Sequence, residues 1–221
     1  MRFDVSFFLS LFPKFVVKIP YTLFLGFLSF FLAFAIGLII ELMYTSKNQI
    51  LRTCASLYIS FFRSTPYIMQ LFIFYYGMPQ MFDFMKGMSA PVAMIISVAM
   101  NCSAFIAETI RGGLQSVDKG QREAALSIGL SKFDMYKEII LPQAFMYAFP
   151  SLGNSFISMI KNMAIGFTIG VVELMAQAKL LAGATLRFME AYVAVGIVYW
   201  AFLVIVSQLL RILEKRVSRY M

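Results

Sequence analysis

Residues 19–40, IPYTLFLGFLSFFLAFAIGLII, hold no charged side chain, and Lys18 and Glu41 bracket them. About 20 consecutive apolar residues suffice to carry a helix across the hydrocarbon core of a bilayer. The stretch therefore predicts a first membrane span, about Pro20 to Tyr44. The same search for charge-poor stretches gives four more: about Cys54 to Tyr76, with Arg63 in its first half; Ser89 to Arg111; Phe145 to Val172, interrupted by Pro150 and Lys161; and Glu190 to Leu210. Backbone groups in lipid must bond within their own segment, so the spans are expected to be α-helices. The chain of 221 residues then reads as one all-α polytopic membrane domain, 1–221, with five transmembrane helices. Composition agrees, because 61% of the residues are hydrophobic where about 45–50% is usual for a soluble domain.

Several function classes are excluded by what is missing. The sequence contains no histidine, which removes the commonest metal ligand and general base. No phosphate-binding G-x-x-x-x-G-K-[ST] loop and no Cys/His cluster occurs, so the usual parts for binding and hydrolysing ATP are lacking. Cys54 and Cys102 both lie in apolar surroundings and read as small buried hydrophobes. The net charge of +8 fits the basic bias of cytoplasmic loops better than nucleic acid binding. The first apolar stretch is broken by Pro13, Lys14, Lys18 and Pro20 and no Ala-x-Ala-like site follows, so the N-terminus is expected to be retained rather than cleaved.

Five spans put the two ends on opposite sides, and the basic residues choose which. With the N-terminus outside, the inner segments carry Lys47, Arg52, Arg111, Lys119, Arg122, Lys132, Lys137, Arg211, Lys215, Arg216 and Arg219. The outer segments then carry Arg2, Lys14, Lys18, Lys86, Lys179 and Arg187. The larger inner set predicts an outside N-terminus and a cytoplasmic C-terminus. It also places the long polar segment 112–144 in the cytoplasm.

That segment, which contains GQREAALSIGLSKFDMYKEIILPQAF over 120–145, is too long for a simple connection. Glu123, Ala124, Ala125 and Leu126 favour a helix. Gly129 is placed to end it in the left-handed conformation. Ser131 caps a second short helix, with Asp134 three residues on, and that helix is expected to stop before Pro142. Phe133, Met135 and Tyr136 would form an apolar tip able to enter a partner's groove.

The pattern Glu123-Ala124-Ala125, three residues, Gly129, nine residues, Ile139-Ile140-Leu141-Pro142 resembles the EAA loop of ABC importer permeases at every spacing. Phe62-Arg63-Ser64-Thr65-Pro66, Glu108-Thr109-Ile110-Arg111-Gly112-Gly113 and Gly120-Gln121-Arg122 are similar to the polar amino acid branch of that family, so the resemblance runs along nearly the whole chain. It implies a type I importer permease fold in the bacterial plasma membrane. It also implies two separate ATPase subunits, a second permease (the same chain or a paralogue) and an external substrate-binding protein. ATP and Mg would be bound by the ATPases and no cofactor by this chain. The coupling contact would fall on Gly120, Glu123, Ala124, Ala125, Gly129, Phe133, Ile139 and Pro142. The cargo would be an amino acid of cystine, glutamine or basic type.

Charges at membrane depth are expensive and usually paired or functional. Arg63 is expected to snorkel or to pair with Glu108, Glu108 to pair with Arg111, and Glu41 to sit at an interface. Lys161 lies deep in the fourth apolar region and is followed by Asn162, with Asn154 before it. An ammonium there would suit a substrate carboxylate, and Arg63, Thr65 and Glu108 are further candidates for the path. The resembled branch carries Lys-Asp-Thr-Ser or Lys-Asn-Thr-Ser at this point, whereas this chain has Lys161-Asn162-Met163-Ala164. Either the substrate is held by fewer polar groups, with a zwitterion favoured because Asn162 is uncharged, or the chain is the non-binding half of a heterodimer. A lysine paired for stability alone is the third reading. Gly166 and Gly170 have the spacing that lets helices approach closely. An ATP-independent channel or secondary carrier would also explain spans and buried charges, but not the extended loop pattern. Ser158 near Lys161 gives no convincing Ser/Lys enzyme pair.

Overall fold

The computed structural model describes residues 3–217. Arg2 and Arg219, two of the residues in the charge count, lie outside that range. Among the described residues the chain is helical and without strands. Three helices are long and apolar enough to cross a membrane: α2 (Ile19–Tyr44), α6 (Ala90–Ser116) and α11 (Phe188–Val217). They coincide with the first, third and fifth expected spans.

The second expected span is two helices rather than one. α3 (Gln49–Ser64) ends at Thr65, and α4 (Tyr67–Phe72) starts after Pro66 and continues through a π turn, Ile73–Gly77, into α5 (Met78–Met81). Pro66 has no N–H to give to the carbonyl of Phe62, four residues back. Side chains supply the missing donors, as burial in a membrane protein demands. Gln70 Nε2 donates to the Phe62 carbonyl at 3.1 Å and to the Thr65 carbonyl at 3.0 Å. Asn101 Nδ2, from α6, donates to the same Phe62 carbonyl at 3.1 Å and to Gln70 Oε1 at 2.9 Å.

The fourth expected span also differs in form. α9 (Leu141–Met163) runs straight through Pro150, passes into a 3₁₀ turn, Ala164–Ile169, and bends by 45° into α10 (Leu174–Thr185). Gly170, at φ 89°, makes the bend. Gly166 and Gly170 therefore do different things. A side chain at Gly166 would run into Met94 of α6, whereas nothing lies within 4 Å of a Cβ at Gly170. Two helices went unanticipated, α1 (Val5–Val16) and α10. α1 accommodates Pro13 close to its end, and its Leu11 and Phe15 are fully buried in a cluster with Leu174, Ala178, Ala191 and Ala194 from α10 and α11.

The main core joins α2, α4, α6 and α9 through Leu25, Leu71, Met94, Val98, Phe156 and Ile160. Lipid tails are as apolar as these side chains, so the packing gains come from close approach rather than from burial away from water. Glycine permits that approach at two crossings. A Cβ at Gly37 of α2 would lie 2.8 Å from Ile106 of α6, and one at Gly113 of α6 would lie 2.5 Å from the Ala144 carbonyl of α9.

Candidate functional site: a polar groove and an exposed hairpin

Two regions stand out because their surfaces contradict their surroundings. The first is on α9. At 3.6 residues per turn, Ser151, Asn154, Ser155, Ser158, Lys161 and Asn162 fall on one stripe about 120° wide. Asn154, Ser158 and Lys161 are exposed, while Leu152, Phe156, Met159, Ile160 and Met163 on the opposite face are buried. A membrane helix that buries its apolar face and exposes a polar one is not facing lipid.

The stripe borders two adjoining cavities between α6 and α9. One, of about 230 Å³, is lined by Asn101, Phe105, Asn154, Ser158 and Asn162 among others. The other, of about 500 Å³, lies nearer the hairpin end and is lined by Arg63, Glu108, Tyr147, Ser151 and Asn154 among others. Phe105, Asn154 and Ser155 belong to both, so the two form one groove. Lys161 is exposed at the edge of the stripe, about 20° around the axis from Asn154. Among the described residues no acidic group pairs with its ammonium.

The other expected path residues are distributed unequally. Met163 is fully buried in the core, facing away from the groove, and Ala164 begins the 3₁₀ turn. The position where the resembled branch has its first hydroxyl thus carries a core side chain here. The Thr65 hydroxyl donates to the Phe61 carbonyl at 2.8 Å and accepts from Gln70 Nε2 at 2.7 Å. It is spent on the break before Pro66 and lines neither cavity. Asn101 and Phe105, which do line the groove, were missed, because nothing in their spacing separates them from packing residues.

Arg63 and Glu108 meet as expected, at 3.1 Å. Glu108 also accepts from Arg111 at 2.9 Å, and Arg111 reaches Glu41 at 3.1 Å. The result is an alternating chain of charges, Arg63, Glu108, Arg111, Glu41, drawn from α3, α6 and α2. Its Glu41 end is sealed, at 3% side-chain exposure, while Arg63 is 43% exposed in the groove. The guanidinium of Arg111 stacks 3.5 Å from the centre of the Tyr44 ring. Glu41 therefore lies in the interior as Arg111's partner, a pairing that sequence spacing could not reveal across 70 residues.

The second region is the hairpin after α6. α7 (Lys119–Ser127) is capped by Asp118, whose carboxylate accepts from Gly120 N at 2.7 Å. It ends where Gly129 adopts φ 83° and Leu130 N bonds back to the Ala125 carbonyl at 3.1 Å. Ser131 caps α8 (Lys132–Asp134) reciprocally, its Oγ accepting from Asp134 N and donating to Asp134 Oδ2. Ala125, Met135 and Ile140 are buried in a small core of the hairpin, with Ile139 packed against it. Met135 is thus not part of the tip. Phe133, at 74% exposure, and Ile128, at 77%, form it, with Leu126 and Tyr136 beside them. Glu123 and Ala124 are exposed on α7. Lys137, paired with Glu138 at 2.7 Å, is held protonated above its ordinary range by that bond.

The second short helix does not stop before Pro142. It passes through a π turn, Met135–Ile140, directly into α9. The wider turn changes the hydrogen-bond register where Pro142 has no N–H to offer, so the proline sits at the start of α9 as a first-turn residue. Phe133 of the tip and the polar stripe consequently ride on one continuous rod, residues 132–163, about 45 Å long.

A polytopic membrane fold with a polar-edged groove between two of its helices and an exposed, apolar-tipped hairpin has the parts of a transport subunit. Residues 33–219 match the family described as binding-protein-dependent transport system inner membrane component, and the chain belongs to that family. It is a multi-pass membrane protein and a transport component rather than an enzyme. It is 43% identical over 216 residues to the probable amino-acid permease protein YxeN of Bacillus subtilis, covering 98% of this chain and 96% of that one. It is 37% identical to the L-cystine transport system permease protein TcyL of the same organism, covering 98% and 92%. The fold superposes on a chain from a crystal structure of an amino acid ABC transporter with histidines, with a TM-score of 0.89, 36% identity and coverage of 98% and 100%.

Proposed function

We propose that this chain is the permease of an ATP-driven importer of polar amino acids, and that the groove between α6 and α9 is its solute path. The polar stripe on α9 carries the reading, because among the described residues the side chains of six polar residues on one face of a membrane helix have no hydrogen-bonding or ion-pair partner. Relatives bearing amino-acid and cystine permease names support the substrate class. Lys161 would take the carboxylate, with Asn154, Ser158 and Asn162 as neutral hydrogen-bonding groups. Both carboxylates near the groove, Glu108 and Glu41, are already paired with arginines, so a zwitterionic cargo suits it better than a cationic one.

In this reading the chain crosses the membrane five times, with the N-terminus outside and the C-terminus in the cytoplasm. Two ATPases, which bind the ATP and Mg, seat the tip formed by Ile128 and Phe133, with Gly120, Glu123, Ala124 and Gly129 shaping α7 and its turn. A second permease completes the path, and an external binding protein delivers the solute. Motion of the ATPases reaches the groove along the rod 132–163. A channel or secondary carrier would leave the exposed apolar tip without a use. The test is reconstitution with the ATPase and binding protein in proteoliposomes. Uptake of a labelled amino acid that requires ATP is expected, and uptake that proceeds equally without ATP sinks the proposal.

A further inference from the structure

Two charged stations mark the groove, Lys161 at the edge of the polar stripe and a second one toward the hairpin. The second is the Arg63–Glu108 pair at the hairpin end, whose side chains are 43% and 35% exposed and line the cavity of about 500 Å³. On the reading that this groove is the solute path, we propose that the Arg63–Glu108 pair is a second, inner site that binds the zwitterionic head group of an amino acid.

Charge order is what makes the pair a head-group site. Arg63, Glu108, Arg111 and Glu41 form a neutral row of alternating sign, pinned at its far end by the buried Glu41. Among the described residues Arg63 has one ion pair, with Glu108, and its guanidinium lies 5.7 Å from the centre of the Phe105 ring, whereas Glu108 keeps Arg111 at 2.9 Å if Arg63 moves away. A carboxylate and an ammonium on one carbon can enter between the two. Arg63 then binds the carboxylate, Glu108 binds the ammonium, and the alternation continues unbroken. An anion alone would satisfy Arg63 and leave Glu108 facing negative charge, and a cation alone would do the reverse. In a partly desolvated groove such mismatches are strongly disfavoured. The row therefore selects a head group rather than a side chain. Tyr147, Ser151 and Asn154 border the same cavity, and Asn154 also lines the smaller cavity beside Ser158 and Asn162, the residue next to Lys161. A solute leaving Lys161 thus has a defined next resting place. Accumulated solute on the hairpin side would occupy it and hold the path.

The assembled transporter in proteoliposomes, with its ATPases facing an ATP-containing lumen, provides the test. Uptake of each common L-amino acid and of L-cystine is measured first, which tests the path reading by itself. The carried amino acid is then enclosed unlabelled in the lumen, beside parallel vesicles enclosing its N-acetyl form, which lacks the ammonium, or its methyl ester, which lacks the carboxylate. The enclosed amino acid should slow uptake of label, and neither derivative should do so at matched concentration. Arg63→Gln should need about ten-fold more enclosed amino acid for the same slowing, the scale of one lost charged hydrogen bond. If the enclosed amino acid does not slow uptake, if the derivatives slow it equally, or if Arg63→Gln behaves as wild type, the inner site is overturned while the path stands. The derivatives act on the unaltered protein, so the result does not depend on how the variant folds. Uptake of none of these amino acids overturns the path and the inner site together.

Discussion

The two ends of the rod 132–163 are mirror images in their chemistry. At the hairpin end Phe133 stands 74% exposed, with Ile128 at 77%, in a segment otherwise rich in charge. At the far end Lys161, Ser158 and Asn154 stand exposed on a helix whose opposite face is buried in apolar packing. Each surface is wrong for the medium it would meet alone, oil in water at one end and polar groups in oil at the other. A surface of that kind is retained because something else covers it. The comparison suggests a partner protein at the tip and a solute with water at the stripe, joined by a single helix that can carry displacement between them.

The largest expected effect breaks the tip. Phe133→Asp should abolish ATP-dependent uptake, by more than about 30-fold, as for loss of a buried aromatic anchor, while the helical content of the purified permease stays unchanged. A Phe133→Asp transporter that still co-purifies with its ATPase and pumps normally would show that the tip docks nothing. Next, Gly113→Leu attacks the crossing of α6 and α9 that both ends depend on, because its Cβ would meet the Ala144 carbonyl at 2.5 Å. Overpacking of this kind costs about 1–3 kcal/mol, and the melting temperature of the detergent-solubilised protein should fall accordingly. An unchanged melting temperature would mean that the helices part easily there. Lys161→Gln should weaken uptake by about ten-fold through lost carboxylate binding, with melting temperature and ATPase docking retained. That separation from the Phe133 variant is what distinguishes the stripe from the tip.

The smallest effect lies away from both ends, at the start of α1. The Asp4 carboxylate accepts from Phe7 N at 2.9 Å and pairs with Arg187, and the backbone bond chiefly holds its pKa below 3.8. A depressed carboxyl contributes stability above its unfolded value and loses it as pH falls through the folded one. Asp4→Asn should therefore lower the melting temperature slightly at neutral pH, and the difference from wild type should shrink in acid below 3.8. A difference that persists or grows in acid would point to a role other than this cap.

The sequence by itself determined the membrane class, the long helices α2, α6 and α11, and the caps of the hairpin. These follow from local rules: a run of apolar residues must be lipid-compatible, and Gly129 or Ser131 act on atoms only a few residues away. Only the tertiary structure decided the rest. It drew Glu41 to Arg111, turned Met163 inward, set Asn101 on the carbonyl freed by Pro66, and ran the hairpin through Pro142 into α9. Each of those depends on what a neighbouring helix presents at that depth or on a change of helical register. Composition and spacing along one strand of sequence carry neither.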